Sequence, residues 1–259
     1  MTANARFVTL HAPAKLTLSL RITGRRDDGY HLIDAEMVSL DLADTVELTV
    51  DDHATPSAGG RSIEVLDATT GEAIDVGPPE QNLAIRALRM IDRVAAVRVL
   101  KRIPAGAGLG GGSSDGAAIL RWGGLTDLGA AAHLGADVPF CLVGGRARVG
   151  GIGEVIEPLP FEPRELTLLT PPFGCSTVAV YQAWDRMGGP TSAGPTSSGP
   201  NDLESAALAV EPRLAEWRDQ LADATGRAPR LAGSGSTWFV EGAFPGPGHL
   251  VTRTIPAPA

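Results

Sequence analysis

Residues 15–22 alternate, with Leu16, Leu18, Leu20 and Ile22 on one side and Thr17, Ser19 and Arg21 on the other. A period of two is that of a half-buried β-strand. Val46, Leu48 and Val50 repeat it, so the first fifty residues read as sheet, with Gly24-Arg-Arg-Asp-Asp-Gly29 as a turn between strands. The period lengthens at Asn82. Leu83, Ala87, Leu88, Ile91 and Ala95 recur at helical spacing, which predicts a helix over 82–95 with Asn82 as its N-cap. Val97 and Val99 then alternate as a strand leading into a glycine-rich stretch, and 114–122 reads as the helix that follows. Further on, the pattern predicts a short helix at 130–134, strands at 138–143, 146–149, 154–156 and 166–170, helices at 176–186 and 213–224, and closing strands at 238–240 and 251–255.

Strands and helices mix without strict βαβ alternation, which favours an α+β chain. Three prolines in Pro158-Leu-Pro-Phe-Glu-Pro163 suit an extended linker, dividing residues 1–157 from 164–259. The low-complexity loop from Gly188 to Pro200 is expected to be mobile and to cover a site. A chain of 259 residues can bury a substantial core. Its net charge of -8 offers little to a phosphate backbone, so nucleic-acid partners are disfavoured. The apolar runs fall short of the ~18 residues a membrane helix needs, and the N-terminus lacks the apolar core of a signal peptide. A cytoplasmic protein is expected, with Cys141 and Cys175 as buried free thiols.

The basic residues carry a sharper signal. Of 22 Lys plus Arg, only Lys15 and Lys101 are lysine. A chain that accepts arginine almost everywhere keeps lysine where a compact ammonium is needed, as in a tight phosphate site. Lys101 stands three residues ahead of the stretch Pro104-Ala105-Gly106-Ala107-Gly108-Leu109-Gly110-Gly111-Gly112-Ser113-Ser114. Its glycines let a ligand approach the backbone N–H groups, and a helix opening near Ser113 aims its positive end at an anion. The stretch therefore reads as a nucleotide phosphate loop.

Three kinds of loop compete. A Walker A loop ends in a Lys-Ser/Thr pair, which is missing here. A dinucleotide fingerprint matches at Gly106, Gly108 and Gly111, but it places its first glycine directly after the strand, and here Pro104 intervenes. The third is the Pro-x-x-x-Gly-Leu-Gly-x-x-Ser-Ser loop of the GHMP small-molecule kinases, which the chain resembles at Pro104, Gly108, Leu109, Gly110, Ser113 and Ser114. It also resembles that family at Pro13-Ala14-Lys15-Leu16 and at Ala232-Gly233-Ser234-Gly235-Ser236-Thr237. The three motifs stand in family order across nearly the whole chain. Thr23-Gly-Arg-Arg-Asp-Asp-Gly-Tyr-His31, Leu134-Gly-Ala-Asp-Val-Pro139 and Asn201-Asp-Leu-Glu204 further resemble the branch whose alcohol substrate carries a cytidine diphosphate.

The resemblance implies a compact variant of a two-domain fold, with an N-terminal domain like ribosomal protein S5 domain 2 and a ferredoxin-like C-terminal domain. It implies transfer of the γ-phosphoryl of ATP, brought as MgATP without a dedicated metal cage, to the 2-hydroxyl of a cytidine-diphosphate-linked methylerythritol. Asp137 is then the base and Lys15 its neighbour, Lys101 and the loop 104–114 bind ATP, and Thr17, Tyr30, His31, Gly233, Ser234 and Gly235 bind the acceptor. His11, His53, His133 and His249 form no ligand spacing and read as structural.

Three departures stand out. Thr17 replaces the family's usual asparagine, and only Gly199 and Pro200 flank Asn201 where an aromatic partner for the cytosine would be sought. The segments over 118–134 and after Val240 are short for the family. The rival functions are a kinase of the same family acting on mevalonate or homoserine, and a nucleotide-binding descendant without turnover.

Overall fold

The computed structural model describes residues 6–50, 61–189 and 199–258. Its frame is a long antiparallel hairpin of β1 (Arg6–Arg25) and β2 (His31–Val50), closed by the predicted turn. In that turn Arg26 N–H donates to the Tyr30 carbonyl at 2.8 Å. The free edge of β2 is shared along its length. Residues 33–38 pair with β5 (Arg146–Gly151), 39–40 with the end of β10 (His249–Ile255), and 45–50 with β4 (Ala95–Lys101). β3 (Ser62–Asp67) lies parallel to β4 and β6 (Val155–Pro158) pairs with β5. A second sheet sets β7 (Glu165–Leu169) between β10 and β9 (Trp238–Glu241), with β8 (Arg230–Leu231) beside β9. β10 thus joins both sheets: residues 249–253 pair with β7, and Thr254 and Ile255 continue onto β2.

The single hydrophobic face read from 15–22 is split by a β-bulge between Thr17 and Ser19. Leu16 and Leu18 enter a core shared with β7 and β9, whereas Leu20 and Ile22 enter the larger core beneath the helices. An extra residue in one strand exchanges the faces of everything after it. Thr17 therefore pairs with Met37 and Leu20 with Ala35, two β2 positions of the same parity.

The helices are α1 (Leu83–Met90), α2 (Gly111–Trp122), α3 (Leu128–Leu134), α4 (Val138–Val143), α5 (Thr177–Arg186), α6 (Glu204–Val210) and α7 (Leu214–Thr225). Asn82 caps α1 by accepting from Ala84 N–H at 2.9 Å. The helix ends sooner than its apolar spacing predicts, because Arg93 N–H closes onto the Leu88 carbonyl at 2.9 Å and Asp92 turns to φ 52°. Ala95 consequently opens β4.

Residues 138–143 are a helix, not the predicted strand. Pro139 fits its first turn, Gly144 at φ 69° stops it, and Val138 to Leu142 are all buried, so a short apolar run read equally well in either form. α2 begins at Gly111, three residues before the predicted start, which puts Ser113 and Ser114 inside its first turn. β3, α6 and β8 were not anticipated. Most of the Gly188–Pro200 loop, residues 190–198, lies outside the described residues, as does His53. Cys141 and Cys175 are buried free thiols, and burial pushes the Cys141 thiol up to about 12.

Candidate active site

The glycine loop runs from the end of β4 to the start of α2, anchored by its apolar residues. Ile103, Ala107 and Leu109 are buried in the core that also holds Leu16, Leu166, Leu168 and Phe239. Two backbone bonds then gather the three separated motifs. Lys15 N–H donates to the Leu109 carbonyl at 3.0 Å, and Thr237 N–H donates to the Ala107 carbonyl at 3.1 Å. Two glycines make this approach possible. Gly108 has φ 78°, and a Cβ there would stand 2.6 Å from the carbonyl oxygens of both Ala232 and Gly235. Gly110 has φ 70° at the head of α2, and a Cβ there would stand 2.7 Å from Lys15 Cγ. Neither position has room for a side chain.

Lys15 reaches past the loop to Asp137. Its Nζ lies 3.2 Å from Asp137 Oδ2 and donates to Thr17 Oγ1 at 3.3 Å. The Lys15 side chain is only 7% exposed while that of Asp137 is 33% exposed, so the carboxylate is the member of the pair open to a ligand. Asp137 stands just before α4, and Lys15 projects from the β1 face shared with Thr17 and Leu20. The threonine thus already serves the lysine as a hydrogen-bond acceptor.

Lys101 is held more tightly than a free phosphate ligand would be. Its ammonium pairs with Asp44 and, at 2.9 Å, with Asp115. Asp44 is fully buried, and its Oδ1 accepts from the backbone N–H groups of Arg102 (2.6 Å) and Ile103 (2.9 Å) where the loop begins. Burial works to lower the Lys101 pKa, and the two carboxylates together outweigh it and raise it. Burial pushes the Asp115 carboxyl up to about 6, with Lys101 pulling it down and Asp44 pushing it up. These three charges fasten the root of the loop to β2 and to α2. Ser114 is also occupied: its hydroxyl donates to the Pro13 carbonyl at 2.6 Å.

A cavity of about 1010 Å³ opens over these elements. Of the site residues predicted from sequence, Leu109, Ser114 and Gly235 are outside its lining, and all the others border it. At one end Val65, Ile74, Val76 and Leu83 form an apolar slot beside the loop, which the sequence reading missed. At the other end stand Tyr30 and His31 from the β1–β2 turn and Tyr181 from α5. Tyr30 is 59% exposed. The His31 and Tyr181 ring centroids are 4.8 Å apart, and His31 Nε2 lies 2.7 Å from Asp185 Oδ1. Burial, then the charge of Asp137, raises the Tyr181 pKa. Tyr181 puts an aromatic ring at this end of the cavity, whereas none flanks Asn201. Asn201 instead donates from Nδ2 to the Leu231 and Gly233 carbonyls at 3.0 and 2.7 Å, fixing the C-terminal glycine motif, while Ser234 and Thr177 share a hydrogen bond of 2.9 Å. Among the described residues no cluster of three or more His, Cys, Asp or Glu side chains could hold a metal ion.

No family model matches the chain. Individual relatives do. The chain is 36% identical over 262 residues to the 4-diphosphocytidyl-2-C-methyl-D-erythritol kinase of Ruegeria pomeroyi, covering 92% of this chain and 89% of the relative. The enzyme of the same name from Paracoccus denitrificans is 38% identical over 242 residues, covering 88% and 84%. The chain belongs to the 4-diphosphocytidyl-2-C-methyl-D-erythritol kinase family. A crystal structure of a 4-(cytidine 5'-diphospho)-2C-methyl-D-erythritol kinase superposes with TM-score 0.65 at 31% identity, covering 90% of this chain and 89% of that one. The fold is wider than this kinase family. A homoserine kinase from Cytophaga hutchinsonii shares it with TM-score 0.61 at 16% identity, over 99% and 97% of the two chains. The architecture is therefore the GHMP kinase fold expected from the three motifs.

Proposed function

We propose that the chain transfers the γ-phosphoryl group of ATP to the 2-hydroxyl of 4-diphosphocytidyl-2-C-methyl-D-erythritol, a step of the non-mevalonate route to isoprenoid precursors. The observation that carries this reading is the Lys15–Asp137 pair, 3.2 Å apart, in a cavity with the glycine loop on one side and two tyrosines and a histidine on the other. Phosphoryl transfer asks mainly for positioning and for cations about the moving group. The loop over 104–113 offers its backbone N–H groups and the N-terminus of α2 to the phosphates of ATP, and the apolar slot at Val65 and Leu83 suits the adenine. Asp137 accepts the proton of the attacking hydroxyl. Lys15 holds Asp137 in place and presents positive charge to the transferring phosphoryl group. Tyr30 and Tyr181 stack on the cytosine, His31 bonds its polar edge, and Thr17, Gly233 and Ser234 border the sugar alcohol.

Magnesium would come with ATP and supply charge neutralisation on its phosphates; Ser113, which lines the cavity, would face them, whereas the Ser114 hydroxyl is committed to the Pro13 carbonyl. We assign residues 1–157 and 164–259 to two domains with 158–163 as the linker, because the second sheet begins at Glu165. No helix among the described residues is long and apolar enough to cross a membrane, and a cytoplasmic location suits a kinase of small soluble substrates.

An ADP-release assay with the cytidylyl substrate, mevalonate and homoserine tests the reading. Turnover on the cytidylyl alcohol alone supports it. Preference for another alcohol, or nucleotide binding without turnover on any of the three, overturns it.

A further inference from the structure

The base end of the cavity contains a contact that the stacking and proton-transfer roles do not use. Tyr181, Trp184 and Asp185 are spaced i, i+3 and i+4 on α5, so they share one face of the helix. His31 lies against all three. Its ring is 4.8 Å from Tyr181, meets Trp184 edge-on at 5.6 Å, and brings Nε2 to 2.7 Å from Asp185 Oδ1. The other carboxylate oxygen, Oδ2, faces Arg25 Nη1 at 3.5 Å. The His31 side chain is only 11% exposed, so its orientation is set by these neighbours and not by solvent.

An ionised carboxylate only accepts hydrogen bonds, so the proton of this short contact sits on Nε2. In the neutral imidazole the other nitrogen, Nδ1, is then a bare lone pair. We propose that Asp185 fixes His31 in the Nε2–H tautomer, so that Nδ1 accepts a hydrogen bond from the exocyclic amino group of cytosine and rejects uracil. Uracil has a carbonyl oxygen where cytosine has that amino group. Two acceptors would face each other and both would lose their partners, and a site built around one hydrogen-bonding pattern discriminates strongly against its inverse. Asp185 is thus a positioning residue: it touches the histidine, and the histidine touches the base. This rests on the cytidine reading of the pocket.

Imidazole nitrogen NMR on the 15N-labelled wild-type protein tests the tautomer without any mutation, with His31 assigned by its loss in His31→Gln. Nε2 protonated and Nδ1 bare at neutral pH, with Nδ1 shifting when CDP is added, is the expected result. A proton on Nδ1, with or without one on Nε2, overturns the proposal. Asp185→Asn supplies the functional arm, since an amide can either accept from Nε2–H or donate to Nε2. The ratio of CDP to UDP inhibition should fall by about tenfold, the loss appearing in KM for the cytidylyl substrate and not in KM for ATP, with Asp185→Glu recovering part of it. An unchanged ratio in Asp185→Asn overturns the proposal. A wild-type protein that binds CDP and UDP equally refutes the cytidine reading itself, and the NMR result then stands or falls separately.

Discussion

The two ends of the cavity are made of different material. The end proposed for the phosphates is backbone: a contiguous stretch whose glycines pack against Lys15, Ala232 and Gly235 at distances that exclude a single added carbon. The end proposed for the base is side chain: Tyr30 and His31 from a turn near the start of the chain, Tyr181 and Asp185 from a helix about 150 residues later. A site built of backbone is broken by adding atoms, and one built of side chains by removing them. Damage should also spread differently. The loop is part of a core, whereas the base end is half open, with Tyr30 59% exposed.

The Lys15–Asp137 pair belongs to neither end, and its loss should exceed any change at either. Asp137→Ala should lower kcat by roughly 10³-fold, within the range for removing a general base, while thermal unfolding and both KM values move little. The carboxylate is the exposed member of the pair, so removing it leaves Lys15 reachable by water. Steady-state kinetics with both substrates varied provides the check. A kcat within a few fold of wild type would remove Asp137 from the chemistry.

Gly108→Ala and Tyr181→Ala then set the ends against each other. The Cβ of an alanine at 108 meets two carbonyl oxygens at 2.6 Å with φ at 78°. Left-handed strain and overpacking together cost about 3 kcal/mol, which lowers Tm by roughly 8 °C in a chain of this size. KM for ATP should rise with it. Tyr181→Ala should leave KM for ATP nearly unchanged, because its ring borders the far end of the cavity, yet raise KM for the cytidylyl substrate by ~10-fold through lost stacking. Tyr181→Phe should restore that KM. If the glycine change altered only the acceptor, or the tyrosine change only ATP, the division between the ends would collapse.

The same contrast explains what could be read before the fold was known. A backbone motif is local, so Pro104 to Ser114 could be read as a phosphate loop from the sequence alone, and the three motifs pointed to the GHMP fold that the structure has. Side-chain sites are assembled by tertiary packing. Tyr181 lies in an ordinary amphipathic helix, and nothing in Thr177–Arg186 marks it as a cavity residue beside His31. Asn201, flanked by Gly199 and Pro200, offers no aromatic ring; it instead holds the Leu231 and Gly233 carbonyls. Period-two reading found β1 but could not show the bulge after Thr17, since a bulge changes which face a residue occupies and not which residues are apolar. Val138 to Val143 went wrong for a related reason: a six-residue apolar run, with Val138 to Leu142 all buried, is too short to show a period. Lys101 was singled out by its rarity, and the partners that occupy it, Asp44 and Asp115, come from β2 and α2.

The smallest effect concerns the charges beneath the phosphate end, which differ from those at the base end by being buried. Asp115 is nine-tenths buried with its Oδ1 unpartnered, and its pKa is pushed from 3.8 to about 6. The folded protein therefore holds this proton more tightly than the unfolded chain does, and folding gains from protonation. That gain is complete below the unfolded pKa and is lost as pH rises through the folded one. Asp115→Asn removes the titration while keeping the shape. The stability of wild type minus that of Asp115→Asn should accordingly fall between about pH 4 and pH 6, by on the order of 1–3 kcal/mol, and level off above pH 7. Urea midpoints across that range measure it. A difference that rises with pH would mean that attraction to Lys101 outweighs burial, making the root of the loop an ion pair that stabilises the fold and not a charge the fold tolerates.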